Sequence, residues 1–183
     1  MNLGKLYVVS GPSGAGKSTV CKEVRKILGI NLSISATSRA PREGEKNGVD
    51  YYFLTTQEFE KKIEAGEFLE YAKVHNNYYG TLKSEVENRL RNGEKIILEI
   101  DVQGGLQVKE KFPEAQLIFF KTSTKEELER RLRGRNTDSE ETIALRLKNS
   151  LKELEYEEKY ETTIINREIS QACEELIKII EKN

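Results

Sequence analysis

Apolar runs and amphipathic stretches alternate along the whole chain. Three runs are typical of buried strands and lie at Lys5–Ser10, at 95–102 and at Gln116–Lys121. After the first run, Lys17–Leu28 places its apolar residues at helical spacing. Strands that alternate with helices in this way predict an α/β fold with a parallel sheet.

Other stretches carry weaker signals. Residues 31–38 and Phe68–Val74 alternate in the manner of strands, and we expect 162–166 to form the last short strand. We expect 76–81, which is polar and aromatic, to form a loop. A capping-box signature at Thr55 predicts the start of a further helix.

A glycine-rich segment follows the first predicted strand. It has the phosphate-loop pattern of a glycine, four free positions and then Gly-Lys-Ser, in the order Gly11-Pro12-Ser13-Gly14-Ala15-Gly16-Lys17-Ser18. Glycines let several backbone N–H groups converge on one anion. Lys17 adds a mobile positive charge, and the Ser18 hydroxyl can ligate Mg²⁺. The alternative is a flexible loop with an incidental lysine, but a strand and a helix flank this loop in the required order.

Two groups of arginines are candidates for binding anions. Arg39 and Arg42 flank a proline and can converge on one anion, or they form an ordinary charged turn. Arg131 and Arg135 lie near a glycine, and Arg146 follows on the next predicted helix. This density is what a mobile lid over phosphates needs, although solvated surface is the alternative.

The apolar run at 95–102 ends in carboxylates. With a period of two, Glu99 and Asp101 face the same side of a strand. A carboxylate at the end of an apolar strand fits the acidic strand that organises magnesium in phosphate-loop proteins. The alternative for Asp101 is a turn former or a helix cap.

Composition limits the classes of function. The 183 residues suit one domain, and a net charge of −1 argues against a general nucleic-acid binder. A single histidine, His75, leaves little for zinc sites or Ser-His-Asp catalysis. Cys21 and Cys173 lack metal spacing, and we expect Cys21 to be a buried structural thiol in a reduced cytoplasm. No long apolar run or signal peptide is evident, so we expect a cytoplasmic protein without a membrane partner.

These residues predict a nucleoside triphosphatase or a kinase that uses Mg²⁺, and spacing alone leaves the second substrate open. Longer segments resemble the guanylate kinases over nearly the whole chain. The resemblance rests on six segments in order: GPSGAGKS, SATSRAPREGEKNGVDYYF, FLEYA, NNYYG, LEIDVQG and RLRGRNTDSEE.

The resemblance implies a phosphate-loop kinase with a five-stranded parallel core sheet, a mixed α/β insertion that binds GMP, and a helical lid. It implies a single domain over 1–183 that divides into a core (1–32, 84–124 and 154–183), a GMP-binding region (33–83) and a lid (125–153). The implied reaction is the ATP-dependent phosphorylation of GMP, and of dGMP, to GDP by in-line transfer. Mg²⁺ is the implied cofactor, and no nucleic acid or obligate protein partner is expected.

The resemblance also implies roles for individual residues. Those implied for transfer are Lys17, Asp101, Arg131, Arg135 and Arg146. Those implied for ATP are Gly11, Pro12, Ser13, Gly14, Ala15, Gly16, Lys17, Ser18, Thr19 and Asn166. Those implied for GMP are Ser35, Arg39, Arg42, Tyr51, Glu70, Tyr79, Thr81, Glu99 and Asp101. Ser18 would ligate Mg²⁺ directly and Asp101 through water.

Within the GMP set, Ser35, Glu70 and Thr81 would read the guanine, and the arginines and tyrosines would hold the phosphate. Guanine presents adjacent N1–H and amino donors that one carboxylate accepts together, whereas adenine has no such pair. Sites built on such pairing discriminate by about 10⁴ or more. Arg167 stands where an aspartate is common in the family. This difference concerns the contacts to the adenine of ATP and leaves the GMP site unaffected.

Two other functions compete with this one. Guanylate-kinase-like domains also occur in scaffold proteins, where they recognise phosphopeptides, but here Gly16, Lys17 and Ser18 are intact, and we expect no attached interaction domain in so short a chain. The second is a phosphate-loop kinase for another small acceptor. An assay of ADP release with several acceptors separates these functions.

Overall fold

The computed structural model describes residues 3–134 and 138–182. Within them the strands are β1 (Lys5–Ser10), β2 (Ala36–Thr37), β3 (Tyr52–Phe53), β4 (Phe68–Val74), β5 (Asn77–Leu82), β6 (Lys95–Glu99), β7 (Gln116–Lys121) and β8 (Thr162–Ile165). The α-helices are α1 (Lys17–Leu28), α2 (Thr56–Glu64), α3 (Lys83–Arg91), α4 (Val102–Lys111), α5 (Lys125–Arg133), α6 (Glu140–Leu154) and α7 (Ile169–Lys182), and a short 3₁₀ helix spans Glu157–Lys159.

The core sheet is parallel, with β1 at its centre in the order β6-β1-β7-β8. Side chains alternate along β1, so Tyr7 packs on one face with residues of α1 and α7. Val8 packs on the other face with residues of α3 and α4. Apolar packing on both faces explains why these strands are continuous apolar runs. The α/β class is therefore confirmed.

The expected number of core strands is wrong for the part of the chain described here, because this sheet has four strands and not five. The stretch at 31–38, which we expected to be a strand, is extended only at Ala36–Thr37 and belongs to the other sheet. Leu32 is 56% exposed and has no apolar layer to cover it, so the alternating pattern did not correspond to a buried face.

The second sheet is mixed and has the order β3-β2-β5-β4. The expected loop at 76–81 is wrong, since β4 and β5 form an antiparallel hairpin with Val74 opposite Asn77. His75 and Asn76 make the turn with φ of 49° and 67°, the geometry of a tight hairpin turn. Phe59 of α2 stacks on Tyr78 at 4.9 Å between ring centroids, so the polar-looking strand has an apolar face.

Helix ends follow local capping chemistry. Thr55 caps α2 in a complete capping box, as predicted. The strand predicted at 95–102 ends at Glu99, because Asp101 adopts the extended conformation of a helix N-cap and α4 begins at Val102. A change from sheet to helix at this point brings Asp101 to the end of β6, beside the glycine-rich segment after β1.

Candidate active site

The loop between β1 and α1 has the backbone of an anion-binding site. Gly11, Gly14 and Gly16 have φ of 142°, 90° and 81°, a region that side chains disfavour. A Cβ on Gly11 would lie 2.1 Å from the carbonyl oxygen of Phe120, so the loop packs directly on β7. Gly16 offers no side chain to cap α1, which leaves the N–H groups at the helix start available to an anion.

Lys17 and Ser18 already have protein partners. Lys17 Nζ donates to the carbonyl oxygens of Gly11 and, at 3.1 Å, Pro12. Burial lowers the pKa of Lys17, and the nearby carboxylates of Glu153 and Glu99 oppose that shift. Ser18 Oγ donates to Glu99. The loop lysine is therefore folded back onto its own loop in this conformation.

A cleft of about 390 Å³ lies over this loop. Of the predicted ATP residues, it is lined by Gly11, Ser13, Gly14, Gly16, Lys17, Ser18 and Thr19. The other residues that line it are Glu99, Ile100, Asp101 and Glu153. We call it the phosphate cleft.

Asp101 fits both interpretations of the sequence. It is the N-cap of α4, and its Oδ1 accepts a hydrogen bond from the Gly104 N–H at 2.6 Å. It also lines the phosphate cleft. A helix cap uses one carboxylate oxygen, so the cap role does not remove Asp101 from the cleft.

Asn166 lies behind the loop, whereas Ala15 and Pro12 belong to the loop itself. Asn166 is 2% exposed and its Nδ2 donates to the carbonyl oxygen of Ala15 at 2.8 Å. A Cβ on Gly16 would approach that nitrogen to 2.4 Å. Ala15 and Pro12 are buried. Asn166 therefore supports the phosphate loop from below.

A second, smaller cleft of about 190 Å³ adjoins the first. Four of the predicted GMP residues line it, namely Ser35, Tyr51, Thr81 and Glu99. Glu99 and Ile100 line both clefts, so the two spaces share a wall. We call this space the acceptor cleft.

Glu70 lies behind the acceptor cleft. It is 7% exposed, and its Oε1 accepts a hydrogen bond from the Thr81 hydroxyl at 2.9 Å. A Cβ on Gly104 would lie 3.0 Å from Glu70 Oε2 and 3.1 Å from Asp101 Oδ1, so both carboxylates border Gly104. Burial raises the pKa of Glu70 to about 7, partly offset by the Thr81 hydrogen bond, and the charge of Asp101 adds to the increase.

The predicted phosphate-holding residues are only partly assembled. Arg39 makes a two-pronged contact with Glu45 at 2.9 and 3.0 Å. Its guanidinium lies 5.4 Å from the centroid of the Tyr51 ring, and that ring meets Tyr79 edge-on at 6.3 Å. Arg42 donates its backbone N–H to Glu45, and the residue is exposed. The structure thus brings Arg39, Tyr51 and Tyr79 together and leaves Arg42 on the loop surface.

Hydrogen bonding to Arg39 lowers the pKa of Glu45 to about 2. Glu45 therefore stays ionised and occupies the Arg39 guanidinium, the group predicted to hold the acceptor phosphate. Sequence reasoning missed Glu45, although its position three residues after Arg42 in a turn was a signal.

Two of the three arginines predicted for the lid contact protein partners. Arg131 Nε pairs with Glu127 at 2.9 Å, and its Nη2 donates to the Asn166 carbonyl oxygen at 2.8 Å. Arg146 pairs with Asp138 at 2.9 Å. Among the described residues that line the phosphate cleft, neither Arg131 nor Arg146 appears. Arg135 lies outside the described residues.

Two residues of α6 that the sequence analysis missed reach the loop. Ser150 Oγ donates to the Ser13 carbonyl oxygen at 3.4 Å, and Glu153 lines the phosphate cleft. Burial raises the pKa of Glu153, and Lys17 opposes that shift. Residues 146, 150 and 153 share one face of a helix, so the prediction for Arg146 could have been extended to Ser150 and Glu153.

Three features together define a phosphate-loop kinase for a small acceptor. They are a phosphate loop on a parallel sheet, a second cleft that shares lining residues with the phosphate cleft, and the arginines of α5 and α6. The guanylate kinase family model matches residues 3–183. The chain therefore belongs to the guanylate kinase family.

Individual relatives agree with the family model. A guanylate kinase of Fusobacterium nucleatum subsp. nucleatum is 76% identical over 181 residues, which is 99% of this chain and 98% of that protein. A guanylate kinase of Clostridium tetani is 48% identical and is covered over 86% of its length, against 98% of this chain.

Solved structures agree in fold. A crystal structure of guanylate kinase from Anaplasma phagocytophilum has a TM-score of 0.76 and 31% identity, and the match covers 100% of this chain and 87% of that one. A gluconokinase from Sinorhizobium meliloti 1021 is 15% identical with a TM-score of 0.54, with 100% of this chain and 94% of that one covered, and it shows the fold alone. Among the described residues, no helix is long and apolar enough to cross a membrane.

Proposed function

We propose that the chain transfers the terminal phosphate of ATP to GMP, and to dGMP, with ATP on the phosphate loop and the acceptor nucleotide in the acceptor cleft. The observation that carries the proposal is the shared wall at Glu99, which places the two clefts edge to edge. In-line transfer needs donor and acceptor in adjacent, aligned sites and no covalent intermediate. Family membership supports the choice of substrates.

On the donor side, Lys17 supplies positive charge to the outer phosphates and the loop N–H groups bind them. Binding requires Lys17 to exchange the carbonyl oxygens of Gly11 and Pro12 for phosphate oxygens. Hydrogen bonds to charged phosphate oxygens are stronger than those to neutral carbonyl oxygens, so ATP binding favours the conformation in which Lys17 contacts the phosphates.

The phosphate cleft also fits Mg²⁺. The Ser18 hydroxyl and the carboxylates of Glu99 and Asp101 are the hard oxygen donors that Mg²⁺ prefers. Among the described residues, no group of three or more acidic, histidine or cysteine side chains could hold a metal by itself. Mg²⁺ typically retains several waters and uses few protein ligands together with substrate phosphates. We assign direct ligation to Ser18 and a water-mediated contact to Asp101; when bound, the ion would neutralise phosphate charge.

On the acceptor side, Glu70 selects the base. Its ionised carboxylate accepts the N1–H and amino donors of guanine, while Ser35 and Thr81 complete the contacts to the base. Adenine would leave the buried Glu70 carboxylate without the paired donors of guanine and with only the Thr81 hydroxyl, and an incompletely bonded buried carboxylate is costly. Arg39, Arg42, Tyr51 and Tyr79 hold the GMP phosphate, and this requires Arg39 to leave Glu45.

Two regions move when both substrates bind. We assign residues 33–83 to GMP binding and 125–153 to the lid, with the rest of the chain as the core. Arg131 and Arg146 would turn from their protein partners to the migrating phosphoryl group, and we assign Arg135 to the same group. Closure excludes water that would otherwise hydrolyse ATP.

An acceptor profile tests this function. ADP release is measured in a coupled assay with GMP, dGMP, AMP, UMP and shikimate, and GMP is expected to be preferred over AMP by about 10⁴. Glu70→Gln should erase most of that preference, whereas the exposed Glu67→Gln is the matched control and should keep it. AMP turned over faster than GMP would contradict the assignment of Glu70, and no ADP release with any acceptor would favour a binding module.

A further inference from the structure

Two buried hydroxyl groups hold the turn that carries Asp101. Ser10 Oγ donates to the main-chain carbonyl oxygen of Asp101 at 3.2 Å. Tyr160 Oη donates to the main-chain carbonyl oxygen of Val102 at 2.9 Å. Tyr160 is 7% exposed and Ser10 is fully buried, so water does not readily replace either bond. Neither side chain belongs to the nucleotide-binding residues assigned above.

The first turn of α4 is shaped to admit these hydroxyls. A Cβ on Gly105 would lie 2.2 Å from Tyr160 Oη and 3.2 Å from Ser10 Oγ. The Tyr160 ring meets Phe119 of β7 edge-on at 5.4 Å, which fixes the ring against the core sheet. The packing of the Tyr160 ring in the core therefore fixes the position of its hydroxyl group.

This contact bears on Asp101 because Asp101 is the N-cap of α4. Its Oδ1 accepts from the Gly104 N–H, and its carbonyl oxygen accepts from the Gly105 N–H at 3.0 Å. The direction of the carboxylate therefore depends on where the first turn of α4 lies. Ser10 immediately precedes Gly11, so the same cluster connects the Asp101 turn to the start of the phosphate loop.

We propose that Tyr160 is a positioning residue for phosphoryl transfer, whose hydroxyl keeps the first turn of α4, and with it the Asp101 carboxylate, in register with the phosphate loop. The inference rests on the role proposed above for Asp101 in the phosphate cleft. Displacing a reacting group or its support by about 1 Å can cost up to 10²-fold in rate. Partners behind a metal-associated carboxylate are typically worth about 10–100-fold.

The test compares Tyr160→Phe with Tyr7→Phe. Tyr7 is also buried and also donates to a main-chain carbonyl oxygen, that of Ile180 at 3.2 Å, but it packs on the opposite face of the core sheet. Each substitution keeps the ring and removes one buried hydroxyl. We expect Tyr160→Phe to lower kcat about 10-fold and to raise the half-saturating Mg²⁺ concentration about threefold. Tyr7→Phe should lower the thermal midpoint and leave both kinetic quantities unchanged.

A second readout needs no substrate. Hydrogen–deuterium exchange of the amides at 103–107 in the free protein should be about 10-fold faster in Tyr160→Phe than in wild type or Tyr7→Phe. If Tyr160→Phe does not fold, Ser10→Ala carries the test and should shift kcat and exchange in the same direction.

The possible outcomes are distinguishable. Wild-type kinetics in Tyr160→Phe, or in Ser10→Ala where that variant stands in, overturn the proposal. Slower turnover without faster exchange at 103–107 also overturns it, because the effect would not pass through α4. Asp101→Asn is measured in parallel, and full activity in that variant would instead remove Asp101 from the proposed mechanism. An impaired Asp101→Asn beside a normal Tyr160→Phe would contradict the positioning role alone.

Discussion

GMP affinity should depend on pH through Glu70. Burial raises the pKa of this carboxyl to about 7, so in the free protein it is about half protonated at neutral pH. Guanine offers two donors at this position, and only an ionised carboxylate accepts both. The dissociation constant for GMP should therefore rise as pH falls below 7 and level off above about pH 8.

The magnitude follows from the ionised fraction. For a pKa of about 7, roughly 90% of Glu70 is ionised at pH 8 and roughly 3% at pH 5.5. The apparent dissociation constant scales with the inverse of the competent fraction. Glu70 alone should weaken GMP binding about 30-fold between pH 8 and pH 5.5.

Isothermal titration calorimetry of GMP from pH 5.5 to pH 8 provides the measurement. In two buffers of different ionisation enthalpy at pH 7, binding should release about half a proton from Glu70. The GMP phosphate itself titrates near pH 6. Glu70→Gln retains that phosphate titration and loses the Glu70 contribution, so the difference between the two proteins isolates Glu70.

Parallel pH profiles for wild type and Glu70→Gln would refute this reasoning. They would mean that Glu70 is already ionised in the free protein across this range, or that it does not contact the base. Proton release at pH 7 that is equal in both proteins would lead to the same conclusion.

Other substitutions test the remaining assignments. Lys17→Ala should lower kcat by about 10²–10³ or more in the coupled assay, whereas Lys22→Ala on the same helix should not. A near-normal rate for Lys17→Ala would show that Lys17 has no part in the mechanism. Glu45→Gln should free Arg39 and lower the KM for GMP about two- to fivefold at unchanged kcat, and an increased KM would show that Glu45 assists binding. The folded-state pKa of Glu70, about 7, exceeds its ordinary 4.5, so its contribution to stability is fully present below pH 4.5 and lost as pH rises through 7. Raising the pH from 4.5 to 8 should therefore lower the free energy of unfolding of wild type by about 2–3 kcal/mol relative to that of Glu70→Gln. Urea denaturation measures both proteins, and a difference between them that does not change with pH would contradict the raised pKa of Glu70.

Long-range pairing explains where sequence reasoning went wrong. The segment at 76–81 looked like a loop because its polar and aromatic residues show no simple alternation. It is a strand because β4 pairs with it across a two-residue turn, and because β2, which is distant in sequence, pairs with its other edge. The alternation at 31–38 was misleading for the opposite reason, since no layer covers Leu32.

The contacts that the site residues make could not be predicted from the sequence either. The pattern at Asp101 allowed either a cap or a cleft carboxylate, and the structure shows a cap that also lines the cleft. Arg39 was predicted from its position near a proline, but the Glu45 carboxylate that pairs with it was not. Glu153 reaches the phosphate cleft from α6, a helix that the analysis considered only for its arginines.

The phosphate loop and the family could both be predicted from the amino-acid sequence alone. The loop conformation is local, because glycines at 11, 14 and 16 permit backbone angles that other residues disfavour, between a strand and a helix that the apolar pattern already marks. In contrast, it is the packing of the folded chain that brings Glu70 and Asp101 to the same glycine and joins two clefts at Glu99. Those relations depend on how β4, β6 and α4 pack together, and packing between distant segments leaves no periodic signal in any one of them.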